Sequence, residues 1–296
     1  MYCPCPYHKK KESLILFKSS EKKNAKLDVK CTSQTHDKPT LYKCGNCNLI
    51  FSEYIKKNFE EDYSKVEDVK YIDQIPFKKK YFELLLSKIK FFLNNEANVL
   101  EIGSYYGVFG NLIKPLVKNY TGLELSKHAA KYSENTYDLN IENESLNKFL
   151  NKKHLFDIII MSDVVEHLDD PFNIFKLIEK NLKPNGVLIF TTFNMDAFVP
   201  KLLGRKYHWI MPMHKFYFTN NTLKYSLNNN NMEIIKIKKD TRLISIEYLL
   251  YKLSILISGL NFLFRFLLKF DFLKKRTIKI NLFDLNIYFA KKIQKI

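Results

Sequence analysis

The sequence predicts an α/β fold: a doubly wound, mostly parallel sheet with helices on both faces, preceded by a small cysteine-rich module. Three observations predict it. Residues 98–124 run from a short apolar strand (Val99, Leu100, Ile102) through a glycine turn into a helix, then into a second strand that ends on a carboxylate. Doubly wound sheets build a ligand site at their switch point in this order. Residues 155–162, Leu-Phe-Asp-Ile-Ile-Ile-Met-Ser, form the unbroken apolar run of a strand buried on both faces. Cys3, Cys5, Cys44 and Cys47 cluster ahead of both.

In chain order, the cysteine module comes first. Cys44-Gly-Asn-Cys47 is a two-spaced thiol pair of the kind that grips one zinc ion. Cys5-Pro-Tyr-His8 has the matching gap and completes the set Cys5, His8, Cys44 and Cys47; Cys3-x-Cys5 is the alternative pair. His36, beside Cys31, could compete as a ligand; in a degenerate site Cys31 or Cys3 is simply a free thiol. A closed four-ligand site is structural, since it leaves no position for substrate. The domain division read from this is 1–60 for the module and 61–296 for the α/β part, with a helical insertion or cap at about 243–273. Residues 9–40 read as a solvated loop and 52–75 as a linker. From Phe77 to Leu93 the apolar residues recur at helical spacing, predicting a helix over the substrate mouth.

The glycine turn has separable parts. Gly103 lets the chain leave the strand sharply, and Gly107 and Gly110 sit where the helix begins, so backbone N–H groups face a ligand. Glu124 ends the next strand 21 positions after Gly103, near the spacing at which an acid meets ribose hydroxyls. Glu101 stands two residues before Gly103, where it can meet a cationic ligand group. Dinucleotides offer no ammonium there; S-adenosylmethionine does. Further on, Asp163-Val-Val-Glu166-His167-Leu-Asp-Asp-Pro171 follows the buried strand, an amphipathic helix follows that, and Leu182-Lys-Pro-Asn-Gly186 turns into the next strand. Helices over 126–138 and 145–151 flank a short strand near Ile141, and Thr219 caps a helix running to Asn228. Met232–Lys238 and 278–290 read as the last two strands.

This order resembles the class I S-adenosylmethionine-dependent methyltransferases, in the branch whose fourth strand leads into an "EHL-x-DP" segment, over residues 75–291. The resemblance implies a Rossmann-like seven-stranded sheet with an antiparallel last strand and S-adenosylmethionine as cofactor. It places Glu101 with Gly103, Ser104 and Gly107 toward the methionine part, Glu124 at the ribose, Glu144 or Ser145 by the adenine, and Ser162 below the sulfonium. Methyltransferases of this branch often begin with a zinc-ribbon-like cysteine-pair module. The chain departs from the pattern at Tyr105, where the family usually has a second glycine.

Methyl transfer needs alignment, exclusion of water and a base for the acceptor's proton. His167, just past strand four, and His214, between strand five and the following helix, are the candidate bases; each could equally cap a helix or pack. Asp163, Glu166 and His167 could instead bind a divalent ion. The expected acceptor is a small molecule, a sugar or glycan, or a lipid-linked intermediate, methylated on oxygen or carbon. An RNA acceptor is the enzyme alternative, from the formal charge of +17. That excess is spread along the chain with no concentrated basic-aromatic stripe, which argues against nucleic acid. A short-chain dehydrogenase would use Gly103-x3-Gly107 and Tyr248-x3-Lys252, but its Asn-Ala-Gly element is missing. A non-catalytic nucleotide-binding module draws its support from Tyr105. Residues 243–273 read as a cap or homodimer face, as a gate against an apolar substrate, or, with Lys274, Lys275 and Arg276, as a helix lying on a membrane surface. With no signal-peptide run, the expected compartment is the cytoplasm, peripheral to the membrane if that helix docks.

Overall fold

The computed structural model describes residues 1–6, 12–19, 30, 38–56, 60–247, 249–250, 253, 262, 266–267, 269 and 276–293. Its strands are β1 (Ser13–Phe17), β2 (Leu41–Cys44), β3 (Ile50–Ser52), β4 (Asn98–Ile102), β5 (Asn119–Leu123), β6 (Ile141–Glu142), β7 (Phe156–Ser162), β8 (Leu182–Phe193), β9 (Phe216–Tyr217), β10 (Met232–Lys239), β11 (Arg242–Ser245), β12 (Thr277–Ile280) and β13 (Leu285–Lys292).

Seven of them form one sheet in the order β10-β13-β8-β7-β4-β5-β6. The five from β8 to β6 pair in parallel, and β13 runs antiparallel between β8 and β10. Alternate residues of each central strand feed opposite cores. Leu100, Ile102, Ile159, Met161 and Phe190 join one, while Val99, Ile158, Ile160 and Ile189 join the other. The helices start where their capping residues put them. Ser126 Oγ accepts the Ala129 N–H, Asp170 accepts the Asn173 N–H ahead of Pro171, and Thr219 with Thr222 forms a reciprocal capping box before Asn220–Asn228.

The N-terminal strands do not stand apart. β1, β2 and β3 form a four-stranded antiparallel sheet whose fourth member is β9, a two-residue strand from the far side of β8. Cys44, Leu49 and Phe51 are buried in the same core as Phe216, Phe218 and Val165.

Two expectations are corrected. The stretch 278–290 is not one strand: 277–280 leaves the large sheet to pair with β11 as a ribbon. Residues 52–75 are no simple linker but carry the short helices Glu60–Ser64 and Val69–Asp73, which lie by the glycine turn. The helix Ile75–Ile89 packs Tyr81, Leu85 and Ile89 onto the sheet face, and Tyr81 reaches Asp240 beside Arg242. Of the insertion at 243–273, only the β11 end and scattered residues belong to the described part; no helix among the described residues is long and apolar enough to cross a membrane.

Candidate functional site: two groups of residues at the strand tips

The first side is the turn after β4. Gly103 and Gly107 both adopt left-handed backbone, φ +75° and +71°, and an added Cβ would meet Val164 at 2.7 Å and Ser133 at 2.8 Å respectively. Glu101 and Glu124 are both buried, as is Ser104. The Tyr120 hydroxyl donates to Glu101, while Glu124 accepts the N–H groups of Tyr105 (2.8 Å) and Ser126 (2.7 Å). Burial pushes Glu101 up to about 8, against the help of the Tyr120 hydroxyl, and the Glu124 charge adds to the push. Burial likewise pushes Glu124 up to about 7, although three backbone N–H groups favour its charged form. Two buried acids share this turn, and neither has a basic partner among the described residues. They suit a ligand that brings a positive charge and hydroxyls.

Tyr105, where a glycine was expected, keeps the left-handed backbone (φ +47°) and turns its ring away from the turn. Its hydroxyl donates to Asp68 (3.0 Å), Asp68 N–H donates to the Tyr106 hydroxyl (2.9 Å), and Tyr71 packs against both rings. Ser126 Oγ donates to the Val66 carbonyl (2.8 Å). The segment 66–71 is thereby fastened beside the ligand turn. Glu144 is drawn off into ion pairs with Lys148 and Lys152, and Ser145 stands at the start of the helix Leu146–Leu150. Ser162 lies at the tip of β7, its Oγ 3.4 Å from that of Thr191.

The second side gathers His167 and His214, whose rings meet edge to face at 4.6 Å between centroids. His167 Nδ1 lies 3.1 Å from the Met213 carbonyl and His214 Nδ1 lies 2.7 Å from that of Trp209. A carbonyl can only accept, so each Nδ1 carries the proton and each Nε2 a lone pair. One Glu166 oxygen lies with a nitrogen of each ring inside a mutual 4.8 Å, a grouping that could also hold a metal ion. Burial lowers His167 to about 4, against the Met213 carbonyl and the Asp163 charge, and lowers His214 well below its ordinary value. Burial and the Asp163 charge raise Glu166 to about 8, while Thr192 donates to it.

Asp163 does not join that group. Burial works against its charge, but Arg242 (2.6 Å) and the Thr191 hydroxyl outweigh it and hold the carboxyl below the usual range. Arg242 also pairs with Asp240 (3.2 Å) and lies over the Tyr81 ring at 4.5 Å and the Trp209 ring at 5.9 Å. Trp209 Nε1 is buried with no hydrogen-bond partner. Arg242, Asp240 and Tyr81 were not singled out from sequence. The available signal was rarity: the chain has four arginines among 48 basic residues, and arginine is the side chain suited to a buried fork.

Residues 77–237 match a family described as "Methyltransferase domain". The chain belongs to the methyltransferase domain family. That family places it among the class I S-adenosylmethionine-dependent methyltransferases. It is 29% identical over 121 residues to a ubiquinone biosynthesis O-methyltransferase of Actinobacillus pleuropneumoniae, covering 37% of this chain and 52% of that protein. A protein of the same description from Pelagibacter ubique is 27% identical over 168 residues, 55% of this chain and 61% of that one. The chain thus spans about half the length of the curated relatives it matches. An Archaeoglobus fulgidus SAM-dependent methyltransferase shares the fold at a TM-score of 0.50 and 18% identity, over 76% of this chain and all of that one. Membership sets aside the dehydrogenase reading, whose Tyr248 and Lys252 lie outside the described residues.

A separate grouping lies in the N-terminal sheet. The sulfurs of Cys3, Cys44 and Cys47 lie within 4.8 Å of one another, and Cys5 is hydrogen-bonded to Cys3. Three of the four are fully buried and none is in a disulfide. The neighbouring thiols and burial push Cys3 far up as a bare thiol. Three converging sulfurs, with Cys5 beside Cys3, fit a soft ion such as zinc, which takes thiolates at ~2.3 Å. Cys3 and Cys5 are the alternative pair read from the sequence; His8, Cys31 and His36 lie outside the described residues.

Proposed function

We propose that this chain transfers a methyl group from S-adenosylmethionine to an oxygen of a small-molecule, glycan or lipid-linked acceptor. S-adenosylmethionine supplies a methyl already activated by its positive sulfur. Glu101 and the turn from Gly103 to Gly107 hold the methionine part, Glu124 holds the ribose hydroxyls, and Glu144 with Ser145 edges the adenine. Ser162 lies beneath the sulfur. His167 Nε2 takes the acceptor's proton as the methyl moves from sulfur to oxygen, leaving S-adenosylhomocysteine and the methyl ether. His214 holds the same pocket wall and is the second candidate base. Both rings are neutral at physiological pH, so their lone pairs are available.

The observation that carries this reading is the pair of buried, cation-less acids on the glycine turn, set across the strand tips from two imidazoles with their lone pairs free. Oxygen is favoured over carbon as the acceptor atom because the matched relatives are O-methyltransferases by name. Zinc at Cys3, Cys5, Cys44 and Cys47 serves as a structural ion. Contact with a membrane surface through 243–276 remains part of the proposal for a lipid-linked acceptor.

Calorimetric titration with S-adenosylmethionine tests the donor site, and transfer of a labelled methyl into a cell extract, followed by the mass of the product, tests the reaction. Saturable binding and a product heavier by one methylene are expected. No binding by folded protein overturns the reading. Loss of labelled product on RNase treatment replaces the small-molecule acceptor with RNA.

A further inference from the structure

The cysteine cluster and the histidine pocket are joined by backbone. Cys44 N–H donates to the Leu49 carbonyl (2.9 Å) and Asn48 N–H to the Cys44 carbonyl (3.1 Å), which closes the knuckle between β2 and β3. β3 then pairs with β9 through Ile50–Tyr217 and Phe51–Phe216. Ser52 N–H donates to the Lys215 carbonyl (2.9 Å), and Lys215 N–H donates to the Glu166 carbonyl (2.8 Å). Lys215 itself is fully buried, with its ammonium on Asp169. His214 therefore sits one residue from a strand that exists only because β3 lies beside it.

A two-residue strand has no stability of its own; its register is borrowed from its partner. β3 is three residues long, and what fixes it is the β2 hairpin closed by the knuckle. Four clustered thiols, three of them buried, offer one another only weak hydrogen bonds without an ion, whereas bound to zinc they would contribute folding free energy directly. By strand pairing the donor turn is reached by a different route, although Cys3, Cys5 and Cys44 share one hydrophobic core with Leu100, Ile102 and Leu123. It hangs on β4 and β5, whose sheet neighbours are β7 and β6, and no strand of the N-terminal sheet pairs with them.

We infer that the four-cysteine cluster is a positioning element for the acceptor wall: metal at Cys3, Cys5, Cys44 and Cys47 sets the placement of His214 and Glu166 through β3 and β9, and leaves the donor turn unaffected. This rests on the methyltransferase reading above and adds to it a role for the module in the chemical step. The four cysteines touch no reacting group and act only through β9. A displaced base slows transfer far more than it weakens binding, since a misplacement on the order of 1 Å costs about 100-fold.

The test uses the full chain, metal-loaded and stripped by chelator, with C44S and C47S beside it. Elemental analysis reads the metal, calorimetry the donor affinity, single-turnover transfer the rate, and histidine-labelled NMR the rings of His167 and His214. One zinc per chain is expected, lost on stripping and in both variants. Donor Kd should stay within about two-fold while transfer slows by about 100-fold, and the two ring signals should shift or broaden, with readdition of zinc restoring rate and signals. Unchanged rate and ring signals in metal-free protein overturn the inference, as does a folded wild type that holds no metal. A donor affinity that falls together with the rate also overturns it, because the effect is then global. Should the cysteine variants not fold, S52P removes the N–H that reaches Lys215 while keeping all four sulfurs; the same split between rate and donor affinity is expected, and an unaltered rate overturns the link. Wild type with no donor binding sinks the methyltransferase reading alone, because the metal dependence of the ring signals is read without donor.

Discussion

The donor and acceptor sides of the site are built on opposite plans. The core of the proposed donor side lies within residues 101–124 and carries two buried acids with no basic partner among the described residues. The acceptor side draws Tyr81, Asp163 to His167, Thr191 and Thr192, Trp209 to His214, and Arg242 from separate parts of the chain. Its acids are answered internally: Arg242 neutralises Asp163 and Asp240, and Glu166 stays largely protonated at neutral pH. One side is electrostatically incomplete and suits a ligand that brings charge. The other is largely self-neutralised and offers the lone pairs of two imidazoles. In the proposed reaction, field strength belongs to the donor side and proton handling to the acceptor side.

The sharpest way to break this contrast is His167→Ala. Loss of a positioned base should lower kcat by about 10²- to 10⁴-fold with donor affinity unaltered, read by steady-state kinetics and calorimetry. Because the folded-state value of His167 is depressed to about 4, wild-type activity should rise as pH climbs through about 4 and show no inflection from this group near its ordinary value. An inflection near 6.5 that disappears in the variant would show a solvated ring. Next in size is Arg242→Met, which leaves Asp163 without its cation while Asp240 keeps only Lys88 at 3.5 Å; unfolding in denaturant should show a loss of about 3–5 kcal/mol. A loss under ~1 kcal/mol would mean that the acceptor side is no self-neutralised unit.

On the donor side, Glu124→Gln should weaken S-adenosylmethionine binding by about ten- to a hundred-fold, the worth of a charged hydrogen-bonding group. At saturating donor its kcat should stay near wild type; a variant that keeps affinity but loses kcat reverses the division of labour. The smallest effect is on pH. Glu101 and Glu124 are raised to about 8 and about 7, so a cationic ligand must displace protons to bind. Donor affinity should therefore tighten as pH rises from about 6 to about 8 and level off above, with proton release visible as a buffer-dependent heat. A pH-independent Kd would place the ligand's charge elsewhere.

The glycine turn with its two acids was legible because it is contiguous. Strand, glycine turn, helix and acid follow one another, and each residue's role is set by neighbours a few positions away. Thr219 was readable as a cap for the same reason. The departure at Tyr105 was visible too, but its partner Asp68 sat in a stretch that reads as linker. The acceptor side was legible by half. His167 and His214 stood out by type and place, yet their shared approach with Glu166 depends on β9, and no local pattern announces a strand of two residues. Arg242 lay at the edge of an apolar insertion where nothing nearby called for a charge. Spacing alone paired Cys5 with His8; tertiary packing brings Cys3 to Cys44 and Cys47.

Tyr105 has a longer reach than its place in the turn suggests. Holding a side chain at φ +47° costs roughly 1–2 kcal/mol that glycine would not incur. The ring contacts with Tyr71 and Tyr106 and the bond to Asp68 offset that cost. Once a tyrosine occupies the position, those three residues lose their freedom to drift one at a time, because each substitution exposes a penalty the others had hidden. In descendants of this chain the four should change together or not at all, and a return to glycine at 105 would release all of them at once.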